Sequence, residues 1–365
     1  MNRSLYKIGF FKNLTFALIL SFFFINELTA QNHSPIFPDT TWMQYAAPEE
    51  AGWSSEGIDR ARAIADSLGS KAVILVYDGA IVAKWGKTRD IAPLASIRKS
   101  LLSALIGIAV AEDRIDTAST LAGLGIDDIE PLSEDEKRAN ILHLLTTSSG
   151  VYHKAAAEPP ALVKPERGSV NPGEQWFYNN WDFNVLATIY ENETGNRIFD
   201  AFDELIAGPT GMVDYHPDWG SYRYQPGRSE HPAYEFWMSA RDMARFGLLY
   251  LNNGSWNNEQ IVPADWVGDS RRVHIEVPGD FAAGYGLSWW IPAGPLEEYQ
   301  AYHASGSGTQ LITILPELNI VFVHRASSIL DDGVFGLDAR EILYRLLEAR
   351  TGDALAQPEL IPVEE

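Results

Sequence analysis

Apolar residues recur with helical spacing after Ser54, and with strand spacing soon afterwards. Ser54 is a good helix N-cap, and the apolar repeat that follows predicts a helix ending near Leu68. Two β-rich runs, 72–77 and 80–85, flank Asp78-Gly79, a pair that is typical of a tight hairpin turn. A second hairpin, of runs 309–315 and 320–325, and an amphipathic helix over 337–349 are predicted near the far end.

Between these outer elements the apolar spacing is helical. Helices are predicted over residues 96–111, 141–145, 182–193, 198–206 and 240–251. Strands and helices at both ends, with helices between them, predict an α+β fold: an antiparallel sheet flanked by N- and C-terminal helices, plus an all-helical subdomain inserted at about 112–280. The main domain is predicted over 44–350, after an irregular lead-in at 31–43 and before a C-terminal tail at 351–365.

The first thirty residues have the pattern of a secretory signal peptide. Arg3, Lys7 and Lys12 precede an apolar run at 14–25, and Ala30 is a small residue suited to cleavage. A membrane anchor is the alternative, but a run of about 12 apolar residues is shorter than the roughly 20 that span a bilayer. The expected product is an exported protein, in the periplasm or the medium, without stable membrane insertion after signal cleavage.

The amino-acid composition excludes some kinds of active site and disfavours some partners. The chain has no Cys, which excludes disulfides, zinc thiolates and Cys nucleophiles. Removing residues 1–30 takes away three basic residues and one acidic residue, which leaves 25 basic and 48 acidic residues and a net charge of −23. Such a charge disfavours nucleic acid as a partner. The eight His form no His-Glu-x-x-His or His-x-His pair, so neither a metal nor another cofactor is expected.

Ser96 and Lys99 begin the helix predicted at 96–111 and carry the strongest local signal for catalysis. Their spacing of three residues places both side chains on one helix face. A Ser hydroxyl becomes a good nucleophile when a base removes its proton, and a Lys can be that base when burial lowers its pKa. The free N–H groups of a helix start also favour developing negative charge. The competing interpretation is an ordinary N-cap followed by an exposed Lys.

Two further stretches carry candidate groups. Tyr178 follows the Pro172-Gly173 turn and precedes a predicted helix, so its hydroxyl could pass a proton, while Asn180 could orient Lys99 or hold a substrate amide. In the stretch 303–308, the backbone N–H of Ser307 could join that of Ser96 as an oxyanion hole. His303 could face the same pocket, pack in the core or lie at the surface, and a plain Gly-rich turn is the alternative for the whole stretch.

These three stretches together resemble the serine β-lactamase and penicillin-binding-protein superfamily, for which Ser-x-x-Lys is a signature. The likeness runs over about 44–350 and is closest to class C-like esterases and 6-aminohexanoate-dimer hydrolase-like enzymes. Supporting stretches are 140–150, 239–247 and 306–310. The resemblance implies Ser96 as the acylated nucleophile, Lys99 as its proton partner and Tyr178 as general base and then acid.

The third motif departs from the family. Where its β-lactamases carry Lys-Thr-Gly or a His-containing variant, this chain has Ala304-Ser305-Gly306. The family's Lys there helps bind the carboxylates of penicillins and D-alanyl peptides. Its absence favours a small neutral ester or linear amide as substrate. A β-lactamase, a D,D-peptidase and a non-catalytic binding or sensor domain remain alternatives, and the sequence leaves the oligomeric state open.

Overall fold

A computed structural model describes residues 36–159, 162–279, 282–326 and 336–363. The predicted signal peptide and the first part of the predicted lead-in lie outside the described residues. Both predicted hairpins are present. In the first, Asp78 and Gly79 have φ values of 48° and 84°, so both turn residues take the left-handed conformation that two-residue hairpin turns favour.

Sixteen strands are found in the described residues. They are β1 Met43–Tyr45, β2 Ala72–Tyr77, β3 Ala80–Gly86, β4 Ala92–Pro93, β5 Ser221–Arg223, β6 Ala233–Glu235, β7 Trp237–Met238, β8 Ser255–Trp256, β9 Glu259–Gln260, β10 Ile275–Glu276, β11 Gly284–Tyr285, β12 Trp290–Ile291, β13 Tyr302–Gly306, β14 Gln310–Leu315, β15 Ile320–Arg325 and β16 Leu360–Pro362.

Ten of these strands form one sheet, in the order β10-β11-β12-β13-β14-β15-β2-β3-β1-β16. Every neighbouring pair is antiparallel except β1 and β3. The two hairpins lie side by side because β15 pairs with β2 along six residues, from Ile320↔Tyr77 to Arg325↔Ala72. The centre of the sheet is thus built from segments about 240 residues apart in the chain.

Eight α-helices are found in the described residues. They are α1 Ser55–Ser67, α2 Arg98–Ala111, α3 Ile141–Leu145, α4 Asn180–Thr194, α5 Ile198–Phe202, α6 Ala240–Leu251, α7 Ala264–Ser270 and α8 Gly336–Glu348. Ser54 caps α1 as predicted, because its Oγ accepts a hydrogen bond from Gly57 N at 3.2 Å. The helix predicted at 198–206 is α5 followed by a π-helical turn over Asp203–Ala207.

The sheet is covered by helices on both faces. Along β2, Val73 and Leu75 share one core cluster with residues of α1 and α8, while Ile74 and Val76 share another with residues of α2 and α6. Alternate strand residues point to opposite faces, so the fully buried run of β2 supplies both layers. The predicted α+β class, with terminal helices against an antiparallel sheet, is confirmed.

Short strands also occur in the region predicted as a helical subdomain. There β5 pairs with β6 and β8 with β9, and β7 pairs with β4, which lies before that region. The segment predicted as a C-terminal tail contains β16, which pairs with β1 at the sheet edge. The described residues belong to one compact unit. None of their helices combines the length and apolarity needed to cross a bilayer.

Candidate active site

Ser96 lies in a single turn of 3-10 helix, Ala95–Ile97, that leads directly into α2. Ala95 has a φ of 50°, a conformation that L-residues avoid and that is found more often at functional sites. The turn rests against the end of β13: a Cβ added at Gly306 would lie 2.6 Å from Leu94 O and 3.2 Å from Ser96 N. Glycine is therefore required at 306 for the strand to approach the Ser96 backbone this closely.

Lys99 is buried, with 2% of its surface exposed, and its amine contacts three groups. Nζ lies 3.0 Å from Ser96 Oγ, 2.5 Å from the Tyr178 hydroxyl and 2.9 Å from Asn180 Oδ1. A protonated amine can donate to all three. A neutral amine can donate to Asn180 and one hydroxyl, and accept from the other hydroxyl through its lone pair. The amine of Lys99 can therefore make hydrogen bonds to all three groups both when it is protonated and when it is neutral. An amine that passes a proton between two hydroxyls needs partners in both states.

The surroundings of Lys99 favour its neutral form. Burial, and then the positive charge of the neighbouring Arg98, hold the pKa of Lys99 well below its ordinary value. Burial also raises the pKa of Tyr178, partly offset by its hydrogen bond with Ser96 and by Arg98. The site thus shifts Lys99 towards its neutral form and keeps the Tyr178 phenol protonated.

The loop that carries Tyr178 is fastened to the segment after α3. Phe177 N donates to Thr147 O at 3.0 Å, the Thr147 hydroxyl donates to Phe177 O, and Asn179 N donates to Thr147 Oγ1 at 3.2 Å. Thr147 itself has a φ of 50°. These bonds fix the backbone on both sides of Tyr178.

The start of α4 holds Asn180 beneath the lysine. Asn179 caps this helix, since its Oδ1 accepts from Trp181 N at 3.3 Å, and its Nδ2 donates to Asp182 Oδ1 at 2.8 Å. Ser149 Oγ donates to the same carboxyl oxygen at 2.6 Å. Burial raises the pKa of Asp182 well above its ordinary value. The two asparagines thus have different contacts: Asn179 caps α4, and Asn180 accepts a hydrogen bond from Lys99.

The structure brings together Ser96, Lys99, Tyr178 and Asn180, and it places Gly306, the residue before Ser307, against the Ser96 backbone. His303 lies elsewhere. It is three residues before Gly306, so its side chain leaves β13 on the opposite face, where it is 2% exposed. Burial and then Arg340 of α8 lower the pKa of His303 to about 3. The assignment of His303 to substrate binding is therefore corrected to a packed core position.

Several residues that surround Lys99 and Tyr178 were not predicted from the sequence. Phe183 places its ring 4.4 Å from Lys99 Nζ, and Trp290 stacks on Tyr178 with ring centroids 5.4 Å apart. Arg98 is 8% exposed, donates to Ala95 O at 3.3 Å and lies 4.8 Å over the Tyr234 ring. Arg98 stands beside Lys99 in the sequence, so its charge could have been considered, whereas Trp290 carries no local signal. Among the described residues, no group of His, Asp and Glu could hold a metal ion.

The fold is that of the β-lactamase-like serine hydrolases. The family model described as Beta-lactamase matches residues 60–331, and the chain belongs to that family. This confirms the resemblance seen in the motifs.

Solved structures share this fold, and one curated relative matches a short stretch of the chain. A proposed 6-aminohexanoate-dimer hydrolase from Bacillus anthracis is 23% identical, with a TM-score of 0.60 over 79% of this chain and 80% of that one. An octameric penicillin-binding protein homologue from Pyrococcus abyssi is 18% identical, with a TM-score of 0.60 over 82% of this chain and 78% of that one. A D-aminopeptidase from Cereibacter sphaeroides is 36% identical over 53 residues, which span 14% of this chain and 10% of the relative.

Proposed function

We propose that the protein hydrolyses a neutral ester or linear amide through an acyl-enzyme on Ser96. The observation that carries the proposal is the buried Lys99 amine, which contacts Ser96 Oγ at 3.0 Å and the Tyr178 hydroxyl at 2.5 Å. A nucleophile, a base of lowered pKa and a second proton carrier within hydrogen-bond reach are what serine acyl transfer needs.

In the first step the Ser96 oxygen bonds to the substrate carbonyl carbon while its proton passes to the Lys99 amine. The carbonyl oxygen takes up the electron pair as an oxyanion, to which the N–H groups of Ser96 and Ser307 donate. Collapse of this intermediate breaks the bond to the leaving group, which receives the Tyr178 proton. Tyr178 recovers a proton from Lys99, so the first half-reaction ends with the same protonation as it began.

In the second half-reaction a water molecule attacks the acyl-Ser96 carbonyl carbon. Its proton passes through the Tyr178–Lys99 pair to Ser96 Oγ as the ester bond breaks, and the free acid leaves. No additional charged group is required, since each proton that a hydroxyl gives up returns to a hydroxyl or to the product.

A neutral substrate is supported by the third motif. Ala304 occupies the place of the family's Lys, and it is buried against the site-side core. Without that cation, the carboxylate of a penicillin or a D-alanyl peptide loses its partner. The linear amide bond, as distinct from the absence of charge, is supported by the structural neighbour proposed to cleave a 6-aminohexanoate dimer.

A fluorophosphonate probe tests the nucleophile. Labelling of the wild type that is lost in Ser96→Ala, with retention in the control Ser100→Ala, supports the enzyme. Ser100 is the matched control because its Oγ donates to Ser288 O at 2.8 Å, away from the lysine. An unlabelled, folded wild type would favour a binding or sensor domain. Rapid turnover of a chromogenic cephalosporin, with slow cleavage of p-nitrophenyl esters, would overturn the substrate assignment.

We also propose that this reaction takes place outside the cytoplasm. The basic start, the short apolar run at 14–25 and the small residue Ala30 support export. N-terminal sequencing of the protein recovered from the periplasm or medium should begin at Gln31. A full-length chain retained in the cytoplasmic fraction would contradict export.

A further inference from the structure

Four aromatic side chains form a continuous surface around the phenol of Tyr178. This surface, called the aromatic wall below, consists of Trp176, Tyr178, Tyr285 and Trp290. Trp290 stacks on Tyr178 at 5.4 Å with an interplanar angle of 23°, and it meets Tyr285 edge-on at 5.0 Å. Trp176 lies 5.7 Å from Trp290 and 6.3 Å from Tyr285. Tyr285 is a buried residue, whereas the other three residues of the wall are partly exposed.

The wall adjoins the hydroxyl that the proposed function assigns as general acid. The Tyr178 hydroxyl contacts Lys99 Nζ at 2.5 Å, while the ring of the same tyrosine lies against Trp290. A general acid must stand within hydrogen-bond distance of the atom that it protonates. In the proposed function that atom belongs to the leaving group, so the wall is the surface next to the substituent on that atom.

All four side chains of the wall are uncharged. Burial raises the pKa of both Tyr285 and Tyr178, so these two phenols keep their protons at neutral pH. The wall is therefore a neutral aromatic surface, and such a surface suits a flat or bulky apolar group.

We infer that the aromatic wall binds the leaving group of the substrate, and that this group is an aromatic or bulky apolar alcohol or amine. This inference rests on the proposed function. Trp176 and Trp290 are then specificity residues, and they act on acylation only, because the leaving group departs before deacylation. The acyl chain lies away from the wall and is not selected by it.

Two ester series separate these effects. Benzyl and methyl esters of one acid share the acyl group and differ at the wall, whereas p-nitrophenyl acetate and hexanoate share the leaving group. In Trp176→Leu the benzyl-to-methyl ratio of kcat/KM should fall roughly 2- to 10-fold, the scale of an aromatic contact. The hexanoate-to-acetate ratio and the deacylation rate constant should stay unchanged. Trp219→Leu, an exposed tryptophan outside the wall, is the matched control.

Trp290→Leu provides a second variant, with retained fluorophosphonate labelling as the check that its site is formed. A benzyl-to-methyl ratio that both variants leave unchanged would overturn the inference, and so would a change in acyl-chain preference. Failure of the proposed function looks different, since the wild type would then show no Ser96-dependent hydrolysis of any ester. An equal loss of kcat/KM for the benzyl and the methyl ester would assign the wall to support of Tyr178 and contradict its role in specificity.

Discussion

Replacing Tyr178 by Phe removes one oxygen atom and little else. The ring contacts with Trp290 at 5.4 Å and Phe183 at 5.3 Å remain, while the 2.5 Å contact with Lys99 and the hydrogen bond with Ser96 are lost. General acid–base groups contribute about 10²- to 10⁴-fold, or about 3 to 5 kcal/mol of transition-state stabilisation. We therefore expect kcat/KM for an ethyl ester to fall by at least about 100-fold.

The loss of kcat/KM in Tyr178→Phe should depend on whether the leaving group needs a proton. Nitrophenolate departs without being protonated, so the p-nitrophenyl ester of the same acid should lose less activity than the ethyl ester, by about tenfold or more. Steady-state kcat/KM for both esters, measured in wild type and Tyr178→Phe, provides the comparison. Tyr152→Phe is the control, since the Tyr152 hydroxyl has no hydrogen-bond partner among the described residues. Equal losses for the two esters, or a silent substitution, would refute the role of Tyr178 as general acid.

Two further outcomes concern Arg98 and His303. In Arg98→Met a cation that depresses the pKa of Lys99 is gone, so that pKa rises and the acid limb of kcat/KM moves to higher pH. His303→Ala should leave kcat/KM within about twofold yet lower the free energy of unfolding by roughly 1 to 3 kcal/mol. The folded-state pKa of His303, about 3, lies below its unfolded value, so its contribution is complete above about pH 6.5 and is lost as the pH falls towards 3.

Specific results would contradict the predictions for Arg98 and His303. Arg98→Lys keeps the charge and should preserve the acid limb, so an unshifted limb in Arg98→Met would show that Arg98 does not influence Lys99. For His303, thermal or urea unfolding from pH 7 down to pH 4 should show a dependence on pH that is shallower in the Ala variant by about 1.4 kcal/mol per unit. A large loss of kcat/KM in a stable His303→Ala protein would return His303 to the active site.

Local signals predicted the outer elements and the proximity of Ser96 to Lys99. The cap at Ser54, the hairpin turn at Asp78 and the helices α3 and α6 each depend on neighbouring residues, which the sequence displays. Burial of Lys99 also had a visible cause, because α2 is apolar on all sides and leaves a lysine near its start few routes to solvent. Spacing along one helix then sufficed to place it beside Ser96.

The sequence did not predict the position of Trp290, because that position depends on contacts between distant segments. Trp290 belongs to a two-residue strand, too short for any periodic signal, and it reaches Tyr178 only through the folding of segments more than 100 residues apart. His303 is different, because strand alternation from Gly306 already places it on the far face of β13. A residue three positions before Gly306 can thus be close in the chain to a residue that contacts the Ser96 turn and still lie on the other face of the sheet.

Rapid-quench mass spectrometry of the protein mixed with a p-nitrophenyl ester tests the acyl-enzyme most directly. We predict a transient mass increase equal to one acyl group, located by peptide mapping on Ser96 and absent in Ser96→Ala. The adduct should form more slowly in Lys99→Met, because we propose that this amine accepts the Ser96 proton. Full turnover without an adduct, or acylation at a residue other than Ser96, would contradict the mechanism.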